Sequence, residues 1–132
     1  MAVRLDHTIL EVKDLAESVA YYRDVVGLEY RGRSGGFEVM LITDDLALDL
    51  DANVQPAPRH LAFGMDRATF EAAFERIRAG GYSFGDGPSR PTNMQGPGRS
   101  TGIHGATDSV YFHDPSGHLL EILTYDPPVP VA

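Results

Sequence analysis

Two histidines and a glutamate carry the first chemical suggestion in this chain. His7 stands in Leu5-Asp6-His7-Thr8-Ile9 and His60 in Arg59-His60-Leu61-Ala62-Phe63, each inside a short apolar run that reads as a strand. Glu121 stands in Leu119-Leu120-Glu121-Ile122-Leu123, where an acid among apolar neighbours costs free energy unless it has a partner. Two imidazoles and one carboxylate form a donor set that holds a divalent metal and leaves positions open for substrate. Non-haem Fe(II) sites use it, as does Mn, Ni or Zn chemistry. Taken singly, each residue also has a bland reading. A strand histidine can be a hydrogen-bonded core residue, and a mid-strand glutamate can face solvent. What sets the histidines apart is their place in a repeat.

The elements that must position these residues can be read in order. Leu5–Val12 alternates as a strand, and Asp14 with Glu17 makes a capping box for a helix striped by Leu15, Val19, Tyr22 and Val26. Gly27 stops that helix. Strands are expected at Leu28–Arg33, Phe37–Thr43 and Leu46–Asp51. Residues 53–58, with two prolines, read as a linker. The pattern then restarts with a strand at Arg59–Met65 and a helix capped by Asp66, striped by Phe70, Ala73, Phe74 and Ile77, and ended by Gly80-Gly81. A short strand is expected at Tyr82-Ser83-Phe84. The last two strands flank Asp114-Pro115-Ser116-Gly117, a turn in which Asp can bond the backbone ahead, Pro presets φ and Gly accepts φ > 0.

The repeat can be counted. His7 and His60 are 53 residues apart, the caps Asp14 and Asp66 are 52 apart, and Gly27 and Gly80 are 53 apart. Two tandem βαβββ modules follow, about 3–52 and 59–126, within a single domain spanning 1–132. Such a sheet can curl into a cup with each helix outside. The stretch from Gly85 to Thr107 breaks the repeat with six glycines and three prolines, and its length and polar content read as a lid.

Composition sets bounds. The chain has 132 residues, 42% apolar and 23% charged, as an ordinary globular domain has. Net charge is −8, with Lys13 the one lysine beside ten arginines, which argues against a nucleic-acid partner. No window approaches the roughly 18–20 apolar residues of a membrane span. There is no signal-peptide core, and cysteine is absent, which fits a cytoplasmic home and excludes thiolate ligands.

Several stretches together carry a resemblance: Leu5-Asp6-His7-Thr8, Tyr21-Tyr22-Arg23-Asp24-Val25-Val26-Gly27-Leu28, His60-Leu61-Ala62-Phe63, and Tyr111-Phe112-His113-Asp114-Pro115-Ser116-Gly117-His118-Leu119-Leu120-Glu121. They resemble the vicinal oxygen chelate superfamily, which takes in glyoxalase I, fosfomycin-resistance thiol transferases, extradiol ring-cleaving dioxygenases and bleomycin-resistance proteins. The resemblance implies an α+β fold, a curled mixed sheet built from two βαβββ modules around a cup-shaped cavity. It also implies His7, His60 and Glu121 as ligands of a divalent metal, with Fe(II) or Mn(II) ahead of Ni(II) or Zn(II).

The resemblance extends to further residues. In glyoxalase I the first module adds a glutamate ligand, and Asp49 aligns there, one methylene shorter; it also reads as an exposed strand carboxylate beside Asp51. Tyr111 stands where dioxygenases and thiol transferases place an active-site tyrosine, and its phenol could hydrogen-bond a substrate oxygen. It also reads as a core aromatic. His104, in Gly102-Ile103-His104-Gly105, is similar to the dioxygenase loop histidine that handles protons, although closer to Tyr111 in sequence than is usual. His113 and His118 read as surface residues.

The function implied is a metal-dependent enzyme acting on a small substrate that chelates the metal through adjacent oxygens. Extradiol-type oxygenation ranks ahead of glyoxalase-type lyase chemistry and of thiol transfer to fosfomycin. The alternative is a binding protein that sequesters an aromatic antibiotic or metabolite against Phe37, Met40, Phe63, Tyr82, Met94 and Tyr111. A small-molecule substrate and a homodimer are the partners implied.

Overall fold

The computed structural model describes residues 2–130, so Met1, Val131 and Ala132 of the expected domain lie outside the described residues. The chain divides into two compact units, one ending at Ala57 and the other beginning at Pro58. Each is a β-α-β-β-β module with its own four-stranded mixed sheet, and neither sheet closes on itself. Among the described residues no helix is long and apolar enough to cross a membrane.

In the first unit β1 (His7–Val12) leads through α1 (Leu15–Tyr21) to β2 (Glu29–Ser34), β3 (Phe37–Thr43) and β4 (Leu46–Ala52). The strands lie in the order β1-β4-β3-β2, with β1 parallel to β4 and the others antiparallel. Asp14 caps α1 as its sequence requires, its carboxylate accepting the Glu17 N–H at 2.8 Å. The helix then widens into a π-helical segment, Tyr22–Val26, and stops at Gly27, whose φ of 95° suits glycine. Alternation divides the sheet into two faces. Leu10, Val12, Met40, Leu48 and Leu50 are buried in the core on the helix side, whereas His7, Val39, Ala47 and Asp49 take the other side.

In the second unit β5 (His60–Gly64) leads through α2 (Arg67–Ala79) to β6 (Gly98–Gly102), β7 (Gly105–His113) and β8 (Leu119–Tyr125). The order β5-β8-β7-β6 repeats that of the first unit, again with a parallel pair between first and last strands. Asp66 caps α2 by accepting the Thr69 N–H at 2.8 Å. Phe70, Ala73, Phe74 and Ile77 are buried along its stripe, and Phe74 meets Phe84 edge-on at 5.1 Å. Each buried Phe contributes about 2–3 kcal/mol relative to exposure.

Three expectations change here. Residues 82–84 form no strand; the chain touches the sheet only at Gly85, which bridges Tyr111. The third position of the module is filled instead by β6, inside the stretch read as a lid, so that only the part before Gly98 remains an excursion. The reason is chemical. Ser100, Thr107 and Ser109 give this hairpin a hydroxyl-bearing face, so no apolar alternation marks it as strand. His118 also departs from expectation, for it is fully buried and its Nδ1 accepts the Arg59 N–H at 3.0 Å.

Candidate functional site

The register of the second sheet brings the chemistry together. His60 lies beside Leu119 on parallel β5 and β8, which places Ala62 beside Glu121 and sets His60 and Glu121 on one face. Tyr111, on antiparallel β7, is directly opposite Glu121. His60 Nδ1 is 3.0 Å from the Leu119 carbonyl, which can only accept, so Nδ1 carries the proton. When the ring is neutral, Nε2 therefore presents a lone pair, and it faces Glu121 Oε1 at 3.2 Å. The Glu121 side chain is only 7% exposed.

A lone pair against a buried carboxylate oxygen is repulsive unless something positive sits between them. A proton on Nε2 satisfies that need, and so does a divalent cation taking both atoms as ligands. The donor set thus fits a metal. Among the described residues no group of three or more His, Asp or Glu side chains is gathered closely enough to enclose an ion.

Tyr111 completes the arrangement in this unit. Its ring stacks on His60 with centroids 6.4 Å apart and planes 18° apart, and its hydroxyl donates to Ser100 Oγ at 3.1 Å. Burial pushes the phenol's pKa up, the Ser100 hydrogen bond pulls it back, and the Glu121 charge raises it further. At neutral pH the group is a protonated donor. Thr107 and Ser109, both buried and 2.8 Å apart at their hydroxyls, continue the polar row.

His104 is not brought to this cluster. It lies at the tip of the β6–β7 hairpin, where its N–H donates to the Tyr125 hydroxyl at 3.2 Å and its ring meets Tyr125 at 5.5 Å. Tyr111 lies six positions along β7 from Gly105, about 20 Å of extended strand.

The first unit repeats the geometry with different residues. His7 lies beside Ala47, and Asp49 follows two positions on, so Asp49 holds the register position that Glu121 holds in the second unit. His7 Nδ1 is 2.7 Å from Asp6 Oδ2, again leaving Nε2 as the free nitrogen. The Asp6 hydrogen bond, and after it the charge of Asp49, raise the His7 pKa above its ordinary value. Asp6 is a residue that sequence reasoning missed as a participant. Its signal was adjacency to His7, since a carboxylate on the second nitrogen is how ligating histidines are oriented. Ser100 and Thr107 were missed because they fell in the supposed lid, and Ser109 because it lies just beyond it on no apolar alternation.

The aromatic wall considered for a sequestering protein is largely absent from these faces. Met40 and Phe63 pair with Leu48 and Ile122 in the core, and Met94 and Tyr82 are exposed in the excursion and after α2. Phe37 and Tyr111 remain on the histidine-bearing sides.

Comparison with known proteins adds a family. The solved structure titled oxidase ChaP-H1 is 34% identical and superposes with a TM-score of 0.78, over 94% of this chain and 97% of that one. Oxidase ChaP-H2 is 32% identical with a TM-score of 0.78, over 95% of both chains. Metallothiol transferase FosB of Shouchella clausii (strain KSM-K16) is 24% identical over 126 residues, covering 91% of this chain and 79% of that protein. A family model matches residues 4–122, in keeping with the two βαβββ modules, and the chain belongs to the glyoxalase/bleomycin resistance protein/dioxygenase superfamily.

Proposed function

We infer that this protein is a metal-dependent enzyme acting on a small substrate that chelates through adjacent oxygens, with extradiol-type oxygenation ahead of lyase or thiol-transfer chemistry. The observation that supports it is the His60–Glu121 pair, whose Nε2 and Oε1 converge at 3.2 Å as two ligand atoms that a divalent ion can share. In the second unit His60 and Glu121 are the proposed ligands and in the first His7 is, each histidine having its Nδ1 already committed. Bound, a divalent ion supplies Lewis acidity and, as Fe(II), the capacity to activate O₂. Two relatives above 30% identity carry the name oxidase, which supports the oxygenase branch.

The chain's own residues do the rest. The Tyr111 phenol, held protonated beside His60, donates to a substrate oxygen, and Ser100 keeps the hydroxyl aimed when no substrate is present. The hydroxyls of Thr107 and Ser109 extend the polar wall. Glu121 is buried, so its charge acts with little screening. His104, at the hairpin tip, has no part in this scheme. The working form proposed is a homodimer.

The test is metal content and turnover. Purified protein is reconstituted with Fe(II), Mn(II), Ni(II) or Zn(II), freed of excess ion, and analysed for stoichiometry; the Fe(II) form is then assayed for O₂ uptake with catechols. One ion per chain and substrate-dependent O₂ uptake are expected. No stoichiometric ion from any of the four overturns the enzyme reading, and tight binding of an aromatic ligand without turnover favours sequestration instead.

A further inference from the structure

Residues 86–97 of the second unit interrupt a strand position that nothing above accounts for. Gly98 lies opposite Ser109, and Gly85 lies opposite Tyr111, two positions further along β7. A regular strand would put one residue between the two glycines; here twelve intervene. Gly85 is nevertheless paired as a strand residue is, exchanging both backbone hydrogen bonds with Tyr111 at 2.9 Å. The side chains of a directly opposed antiparallel pair stand on one face of the sheet. A side chain on Gly85 or Gly98 would therefore stand beside Tyr111 or Ser109, on the face that carries Glu121 and His60.

That space is taken by main chain. A Cβ on Gly85 would collide with the Arg90 carbonyl oxygen and stand 2.7 and 2.8 Å from the Arg90 and Pro91 carbonyl carbons. One on Gly98 would collide with the Asp86 carbonyl oxygen, 2.9 Å from its carbon. The excursion thus lies back over the site face, seated on two residues that have no side chain. It is also braced from within. The Asp86 carboxylate accepts from Arg90 Nε at 3.1 Å and from Asn93 Nδ2 at 2.7 Å. The Arg90 N–H donates to the Gly87 carbonyl at 3.0 Å, closing a turn with Pro88 in its second place. The Met94 N–H donates at 2.7 Å to the carbonyl of Phe84, whose ring is buried against Phe74. Tyr111 and Ser109, opposite the two seats, are 3% and 0% exposed, whereas the His60 side chain on the far strand is 46% exposed.

We propose that residues 86–97 are a fixed wall on the Tyr111 side of the site, and that Gly85 and Gly98, as its seats, determine the size of substrate. A molecule held there by adjacent oxygens has room for a bare edge beside Tyr111 and none for an alkylated one. The substrate class is a compact compound whose carbons next to the adjacent oxygens carry no alkyl group. This rests on the metal-dependent reading above and names the shape that reading leaves open.

Two measurements test it, and the first needs no metal. Backbone hydrogen exchange on metal-free wild-type protein should find the Arg90 and Met94 amides protected. Gly85→Ala should lose that protection while β7 and β8 keep theirs. The second compares catechol with 3,6-dimethylcatechol, whose symmetry puts a methyl group beside Tyr111 in either orientation. Dissociation constants are measured anaerobically by calorimetry on Fe(II)-loaded wild type, on Gly85→Ala, and on a variant in which a single serine replaces residues 86–97, with thermal melts to confirm folding. Wild type should prefer catechol by about tenfold or more, the cost of a methyl group that a packed wall cannot take. Both variants should bring the ratio toward one, and the serine replacement decides if Gly85→Ala does not fold. Unprotected Arg90 and Met94 amides in wild type overturn the wall. A wild-type ratio near one, or a ratio that the variants leave within about twofold, overturns the size assignment, while metal loading leaves the enzyme reading standing. Failure to load metal at all overturns both.

Discussion

His60 Nε2 and Glu121 Oε1 face each other at 3.2 Å while His60 Nδ1 is spent on the Leu119 carbonyl. Without a metal ion or a proton on Nε2, the pair is a lone pair against a charge. Glu121→Gln replaces that charge with an amide that can donate to Nε2. Metal affinity should therefore fall by more than the roughly 10–100-fold typical of an outer-shell partner. The metal-free variant should gain about 1 kcal/mol, or roughly 3–5 °C in a protein of this size. Titration calorimetry and melts in chelator read both. A metal-free variant less stable than wild type would show that the pair is satisfied without an ion.

The Tyr111 hydroxyl donates to Ser100 in a largely buried setting that keeps it protonated. Tyr111→Phe removes the proton and leaves the ring on His60. Turnover should drop by about 10²-fold, the lower range for a positioned proton donor. Stability should fall by only about 1 kcal/mol, the net worth of the hydrogen bond. Steady-state kinetics on metal-matched samples decide it. Unchanged turnover makes Tyr111 a packing residue.

What the sequence revealed follows from which signals are local. The caps Asp14 and Asp66 and the stripes behind them are local, and both helices start where those residues place them. The matched histidines were legible because a repeat compares the chain with itself. β6 and the first half of β7 were not, because a strand is read from apolar alternation and here the alternating residues are hydroxyls. Asp6 was overlooked because a residue adjacent to a histidine stands on no periodic pattern. His118 looked like a turn residue at the surface; its burial depends on the Arg59 N–H, 59 residues away, which only the folded sheet supplies.

Asp108 ties the hairpin of the second unit to the start of α2. Its carboxylate accepts from Arg99 at 2.9 Å and from Arg67 at 2.9 Å, and Arg99 also reaches Asp126. The Arg99 hydrogen bond, opposed by burial and aided by Arg67, lowers the Asp108 pKa below the ordinary carboxylate value. A lowered folded pKa contributes stability above the unfolded value near 3.9, and that stability is lost as pH falls through the folded value. Asp108→Asn should cost about 1–2 kcal/mol at pH 7, and the gap should narrow below about pH 3.9. Urea midpoints at pH 7 and pH 3 test the sign. A gap that is constant with pH would mean that the ion pairs contribute nothing and only packing was lost.

The Asp114 turn sets the register that places Glu121 opposite Tyr111. Asp114 is 5% exposed, and its Oδ1 accepts both the Ser116 N–H at 3.0 Å and the His118 N–H at 2.8 Å. Its own backbone closes the turn, with the Asp114 N–H donating to the His118 carbonyl and the Gly117 N–H donating to the Asp114 carbonyl. Asp114→Ala removes the two side-chain hydrogen bonds to this turn. Each hydrogen bond to a charged acceptor is worth about 1.5–3 kcal/mol, so a loss of about 2–4 kcal/mol is expected, roughly 8–15 °C in melting temperature. Asp114→Asn keeps the acceptor oxygen and should recover most of that. Metal affinity should follow stability in this pair of variants, because a slipped β7–β8 register would carry Glu121 away from His60. An Asp114→Ala protein that melts with wild type, or an Asn variant no better than Ala, would show that the backbone bonds alone hold the turn.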